Sequence, residues 1–229
     1  MFLKYLPLAG LLAVAGCGNG TSATANDTGI ADVHVEADST SASLPYLGAQ
    51  GKKPVPAFSL PDQEGKTVSD KSLAGKVYVT DFFFATCPGI CPKMQSELLR
   101  VYKQFSNNPN VEFVSFTIDP EHDDQAVLAD YARRLGVNAP NSTWRFVRPA
   151  DRPAAFQLAN NYLAAAETDL KAPGGIAHSG ALALVDDQGY VRGTYDGLNA
   201  AAVNTLIRQL PVLLAEVQAR HSQPATAAR

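Results

Sequence analysis

From residue 54 onwards, apolar runs alternate with polar segments rich in glycine and proline, a pattern that predicts successive strands and helices. The run 77–84 is β-branched and aromatic with few polar interruptions, which is typical of a strand buried on both faces. Residues 111–118 and 144–147 are predicted to form two further strands. Residues 180–185 and 190–195, separated by a polar turn, predict a hairpin.

Segments with helical periodicity lie between these strands and after the last of them. Pro92 suits the first turn of a helix whose apolar face recurs at spacings of three and four residues. Asp123 is predicted to cap a helix that Gly136 ends, and residues 152–162 predict a short helix. The last helix has one apolar stripe, and Pro211 within it is expected to kink or split it. The apolar positions of the first helix are Met94, Leu98, Val101, Tyr102 and Phe105.

Strands that alternate with helices, followed by a hairpin and a helix, predict an α/β fold with a central mixed sheet flanked by helices. Two cysteines, Cys87 and Cys91, lie between the predicted buried strand 77–84 and the helix after it. A reactive cysteine loop in this position is the thioredoxin-like arrangement. We therefore expect a thioredoxin-like fold.

The N-terminal region differs in composition from the rest of the chain. Residues 1–16 have a short basic start and an apolar stretch too short to span a membrane, so they predict a lipoprotein signal peptide before Cys17, the expected lipidation site. An ordinary secretory signal with a chance cysteine is the alternative. Residues 17–53 are expected to form a lipidated N-terminus and flexible tether, 54–219 the domain and 220–229 a loose tail. The protein is then exported and lipid-anchored to a bacterial membrane, on the periplasmic or outer side of the cell envelope.

The charge balance narrows the classes of partner. The formal net charge is −3, from 19 basic and 22 acidic residues. Neutralising phosphates requires a clear excess of Lys and Arg, so we expect no nucleic-acid binding.

The number and spacing of the cysteines indicate that one pair has a chemical role. Of three cysteines, lipidation of Cys17 leaves one pair, Cys87 and Cys91. A bridge between them closes a tiny loop and constrains the unfolded chain little, so a purely stabilising disulfide explains the pair poorly. Both sulfurs are expected at a helix N-terminus, where thiolates are favoured, and a modest rearrangement would switch between a redox disulfide and an open dithiol. The motif alone fits a redox pair or a metal site.

A histidine favours the metal site. His178 lies in a glycine-flanked loop before the predicted hairpin, at the position that faces the cysteine loop in a thioredoxin-like fold. Two thiolates and an imidazole suit Cu(I) and can also hold Cu(II). A structural zinc site would need a fourth ligand, and none is well placed.

Three motifs occur in order along the chain. They are Cys87-Pro-Gly-Ile-Cys91-Pro after a buried strand, Asp119-Pro-Glu-His-Asp123, and His178 before an apolar strand. Over about residues 54–219 they resemble the Sco/SenC family of copper-binding cytochrome c oxidase assembly factors. The resemblance implies copper ligation by Cys87, Cys91 and His178, and a supporting role near the site for Asp123. A helix cap alone is the simpler interpretation of Asp123.

The resemblance implies a metallochaperone that assists assembly of the copper A centre, with oxidase subunit II or a similar copper protein as partner. We expect a monomer and no enzymatic activity beyond possible thiol chemistry. Two alternatives stay open: a thiol–disulfide oxidoreductase that reduces the target's cysteines, and a copper or redox sensor. A peroxidase is disfavoured, because Phe84 stands where such a site needs threonine.

Overall fold

The structure is a computed structural model that describes residues 43–47 and 53–222. The nine strands of this part of the chain are β1 Ser59–Pro61, β2 Thr67–Ser69, β3 Val77–Phe83, β4 Val111–Thr117, β5 Trp144–Val147, β6 Ala166–Thr168, β7 Ile176–His178, β8 Ala181–Val185 and β9 Val191–Asp196. Its α-helices are α1 Asp70–Leu73, α2 Cys91–Phe105, α3 Gln125–Leu135, α4 Arg152–Asn161 and α5 Ala200–Ser222. A single 3₁₀ turn, Pro173–Gly175, precedes β7. The predicted signal peptide and the lipidation site Cys17 lie outside the described residues.

The central sheet is mixed, which confirms the predicted fold class. Its strand order is β5-β4-β3-β8-β9. Strands β3, β4 and β5 are parallel, whereas β8 runs antiparallel to β3 and β9 antiparallel to β8. All seven residues of the central strand β3 are buried, as expected of a strand covered on both faces. The carboxyl ends of β3 and β4 therefore share one edge, and the cysteine loop leaves from it.

Two short antiparallel pairs, β1-β2 and β6-β7, lie outside the central sheet. The sequence did not predict β6 or β7, because strands of three residues are too short to show an alternating pattern. The second pair matters for function, since β7 ends at His178.

Helix α5 has the length and apolar composition to span a membrane, and among the described residues no other helix has both. In this structure it is a core helix that packs on β9, β3 and α2. The predicted break at Pro211 is wrong in one respect, because the helix continues unsplit from Ala200 to Ser222. Pro211 lies on the exposed face, where water can satisfy the carbonyl that loses its partner. The helix also includes residues 220–222 of the predicted loose tail.

The predicted cap of α3 is off by one residue. Asp124 caps the helix, and its side chain accepts a hydrogen bond from the backbone of Val127 at 2.9 Å. Asp123 is fully buried and points instead towards the cysteine loop. Adjacent aspartates are equivalent in a sequence pattern, and only the direction of the chain as it leaves β4 separates their roles.

Residues 43–47, which the sequence places within the tether, pack against the domain. The Leu47 amide donates to the Val191 carbonyl at 2.8 Å, and Leu44 is buried. The fully buried Arg192 donates to the carbonyl oxygens of Leu44 and Pro45 and forms salt bridges with acidic side chains of the domain. This short segment is thus held by an apolar contact of Leu44 and by an arginine that the sequence pattern placed in an ordinary strand.

Candidate metal centre

The cysteine loop joins β3 to α2. The Cys87 amide donates to the Phe84 carbonyl at 3.1 Å, which turns the chain directly after the strand. Helix α2 begins at Cys91, so Cys87 lies one turn before the helix. Cys91 is 1% exposed and Cys87 is half-buried, and both are free thiols. One sulfur is therefore accessible while the other is enclosed.

His178 reaches the cysteines from the opposite side of the site. It is the last residue of β7, where it pairs with Ala166 of β6. Two residues later Gly180 has a φ of 70°, a left-handed conformation that glycine adopts without strain, and the chain turns into β8. Because β8 pairs with β3, this turn brings the histidine to the edge of the sheet from which the cysteine loop leaves.

The three side chains converge. The Cys91 Sγ lies 3.3 Å from the His178 Nε2, and the ligand atoms of Cys87, Cys91 and His178 all lie within 4.8 Å of one another. Metal bonds of about 2.0–2.3 Å to nitrogen and sulfur place ligands roughly 3.5–4 Å apart in such a site. The donor set and its spacing therefore fit one metal ion with little rearrangement. No other potential metal-binding group of three such side chains occurs among the described residues.

The two thiols differ in acidity. A hydrogen bond from Cys91 lowers the pKa of Cys87, and a further hydrogen bond from His178 acts in the same direction. The same contact with Cys87, followed by burial, raises the pKa of Cys91. Cys87 is thus the thiolate of the metal-free pair, and Cys91 carries the shared proton. Binding a metal through both sulfurs releases that proton.

Asp123 connects the end of β4 to the start of the cysteine loop. One oxygen of its fully buried carboxyl accepts hydrogen bonds from the Ala85 amide, at 3.0 Å, and from the Thr117 hydroxyl. Its other oxygen has no hydrogen-bond partner. Burial raises the pKa of this carboxyl. Asp123 therefore fixes the backbone two residues before Cys87 and does not lie among the ligands.

The other acidic residues after β4 form a separate ion-pair group. Asp119 contacts His122, with 2.9 Å between Oδ2 and Nδ1, and it also pairs with Arg152. Arg152 in turn lies 3.2 Å from Glu121. These contacts hold the loop against the start of α4.

Sequence reasoning missed two neighbours of the site. The ring of Phe84 lies edge-on to the His178 imidazole, with 6.2 Å between centroids. Thr117 binds Asp123 although it reads as an ordinary strand residue. The position of Thr117 just before the acidic motif could have indicated its role. Nothing in the sequence pattern indicated the contact of Phe84.

A mixed five-stranded sheet with a cysteine pair between its central strand and the next helix defines a thioredoxin-like domain, here with a histidine added to the dithiol. Comparison with known proteins specifies the family. The SCO1/SenC family profile matches residues 48–211, and the chain belongs to this family.

Individual relatives agree with this assignment. A SCO1 protein homolog of Bacillus subtilis is 30% identical over 168 residues, covering 70% of this chain and 84% of that protein. The crystal structure of a SCO1/SenC family lipoprotein from Bacillus anthracis superposes with a TM-score of 0.63 at 24% identity, covering 70% of this chain and 95% of the other. Copper-bound ScoI of Bradyrhizobium japonicum gives a TM-score of 0.53 at 24% identity, covering 68% and 99%. These two structures share the fold.

Proposed function

We propose that this protein is a Sco-type metallochaperone that binds one copper ion through Cys87, Cys91 and His178. The observation that carries the proposal is the convergence of these three ligand atoms within 4.8 Å. Membership of the SCO1/SenC family supports it. Copper is the cargo of this function, and the chain's own residues determine how it is held.

The ligand set suits both oxidation states of copper. Soft thiolates select Cu(I), which two sulfurs alone can hold, while imidazole is the additional donor that Cu(II) needs. Cys91 is enclosed whereas Cys87 and His178 are partly exposed, so the ion is held at the surface and remains accessible to a partner. Partial exposure of this kind suits transfer better than permanent storage.

Sco proteins are linked to copper delivery to cytochrome c oxidase, so we propose oxidase subunit II or a similar copper protein as the partner. Because the sequence at Cys17 resembles a lipidation site, we also propose that a lipid anchor holds the monomeric protein at the outer side of a bacterial membrane. The lipoprotein from Bacillus anthracis shares the fold.

Metal analysis of the reduced domain, prepared without oxygen, tests the proposal. We expect about one copper per chain, and we expect His178→Ala to weaken Cu(II) binding far more than Cu(I) binding. His221→Ala is the matched control, because His221 lies in the last turn of α5, where it contacts Asp187 and not the cysteines. Equal Cu(II) affinity in His178→Ala and the wild type would remove His178 from the ligand set.

The thiol–disulfide oxidoreductase remains the competing function, since the unequal pair Cys87 and Cys91 also suits disulfide exchange. Alkylation distinguishes the two. Bound copper should protect both sulfurs together, whereas sulfurs that react at the metal-free rate in copper-treated protein would favour the oxidoreductase.

A further inference from the structure

Phe84, the first residue after β3, has an aromatic ring that contacts His178. It is 2% exposed, and its carbonyl accepts the hydrogen bond from the Cys87 amide. The position of its ring is therefore fixed relative to the cysteine loop. One side of that ring lies against the His178 imidazole, at 6.2 Å between centroids and 70° between planes.

The same ring lies against the backbone of Gly174 in the histidine loop. A Cβ atom at Gly174 would lie 2.7 Å from Cε2 and 2.8 Å from Cζ of Phe84. Carbon atoms pack at about 3.5–4.0 Å, so no side chain fits there without displacing the ring or the loop. The ring therefore contacts both the backbone of Gly174 and the imidazole of His178.

At two other glycines the loops leave more space for a side chain. A Cβ at Gly89 would lie 3.6 Å from Pro173, and a Cβ at Gly180 would lie 3.4 Å from Ile90, both ordinary packing distances. Of these three glycine contacts between the loops, the one between Gly174 and Phe84 alone leaves no space. It is therefore the tightest of the three backbone contacts between the loops.

We infer that the ring of Phe84, held against Gly174, acts as a spacer that sets the distance between His178 and the two cysteine sulfurs. The inference rests on the proposed copper-binding role of His178. Phe84 and Gly174 are positioning residues, since neither offers a metal ligand. The ring is buried, whereas Pro173 and Gly174 are exposed, so the loop and not the ring is expected to move when the contact is made tighter.

Gly174→Ala should move the histidine loop away from the sulfurs. We expect it to raise the Kd for Cu(II) at least tenfold, about 1.4 kcal/mol, while the Kd for Cu(I) changes less than threefold. Gly175→Ala is the matched control, because Gly175 has nearly the same φ, 77° against 78°, with no atom within 4 Å of a Cβ. The strain that a positive φ imposes on alanine is then similar in the two variants, whereas only Gly174→Ala meets the ring.

Phe84→Leu supplies the second test, because leucine lacks the Cε2 and Cζ atoms that meet Gly174. Alone it introduces no clash and removes the spacer, so Cu(II) affinity should fall while Cu(I) affinity is retained. Combined with Gly174→Ala it should recover at least threefold of the lost Cu(II) affinity, since the new methyl group occupies space that the ring leaves.

The Cu(II)–thiolate absorption band and the electron paramagnetic resonance spectrum report coordination in each variant, and thermal unfolding of the metal-free proteins reports the fold. Equal Cu(II) affinity in Gly174→Ala and Gly175→Ala overturns the inference, as does a double variant that recovers nothing. If Gly174→Ala does not fold, Phe84→Leu decides alone, and unchanged Cu(II) binding overturns the inference. Failure of the wild type to bind copper would instead refute the proposed function.

Discussion

Asp81, at the centre of β3, is a fully buried carboxylate that offers a quantitative test of the electrostatics of the core. It accepts hydrogen bonds from Gln95, at 2.6 Å, and from the Ser115 hydroxyl, which itself accepts from Trp144 at 2.8 Å. Despite these donors, burial raises its pKa from 3.8 to about 7. The folded protein therefore holds a proton that the unfolded chain releases above about pH 4.

The sign of the effect follows from that proton. The contribution of Asp81 to stability is fully present below pH 3.8 and is lost as the pH rises towards about 7. The slope is about 1.4 kcal/mol per pH unit, and the total loss is about 4 kcal/mol. Asp81→Asn is always neutral and escapes this loss. Gln95 can adapt by turning its amide, because its Oε1 is buried without a hydrogen-bond partner and would accept from the new Asn.

We therefore expect Asp81→Asn to be more stable than the wild type by about 2–4 kcal/mol at pH 8, with the difference shrinking towards pH 4.5. Urea unfolding of the reduced, metal-free domain across this range, followed by circular dichroism, measures it. Asp130→Asn is the control of opposite sign, because a hydrogen bond from Arg133 lowers the pKa of Asp130 and its removal should not stabilise the protein at pH 8. Parallel stability curves for Asp81→Asn and wild type would refute the reasoning.

Three further predictions concern other parts of the molecule. Arg192→Ala should destabilise the domain by about 3–5 kcal/mol in urea unfolding, because it removes the fully buried cation that pairs with Asp186 and holds the carbonyl oxygens of residues 44 and 45; a loss below 1 kcal/mol would contradict this. Asp123→Ala should cost about 2–3 kcal/mol, since the Ala85 amide and the buried Thr117 hydroxyl lose their acceptor, whereas Asp123→Asn retains a carbonyl oxygen and should cost less; equal losses would disagree. In reduced metal-free protein, iodoacetamide should modify Cys87 before Cys91, as mass spectrometry of timed samples would show, and the reverse order would contradict the assigned thiolate.

The larger elements of the fold were predictable from sequence because their patterns are long. Strand β3 ends one residue earlier than the apolar run predicted, and α2 buries Met94, Leu98 and Val101 as its periodicity indicated. The pair β6-β7 was missed, because three residues carry no usable period. Residues 43–47 were missed for another reason: the groups that hold them, such as Arg192, come from a distant part of the chain.

The three candidate ligands were predictable from the sequence, but their surroundings were not. Cys87 and Cys91 followed from their spacing after a buried strand, and His178 from its glycine-flanked loop together with the family resemblance. The structure brings these three side chains together. The residues that surround the site could not be predicted from the sequence. A buried contact such as that of Phe84 with Gly174 joins residues 90 positions apart and leaves no local pattern. The choice between Asp123 and Asp124 likewise depended on the path of the backbone.

The attachment of residues 43–47 also determines where a force on the N-terminal chain enters the domain. Leu47 bonds to Val191, which is paired with Val185, and Val185 is paired with Tyr78 near the start of β3. The cysteine loop leaves the other end of that strand, roughly 16 Å away at about 3.3 Å per residue. A force applied through the chain before Ser43 therefore acts first on the contacts of Arg192 at this end of the sheet, and only later on Cys87, Cys91 and His178. The candidate metal centre therefore lies at the opposite end of the central sheet from residues 43–47, and it stays open to a partner that approaches from that side.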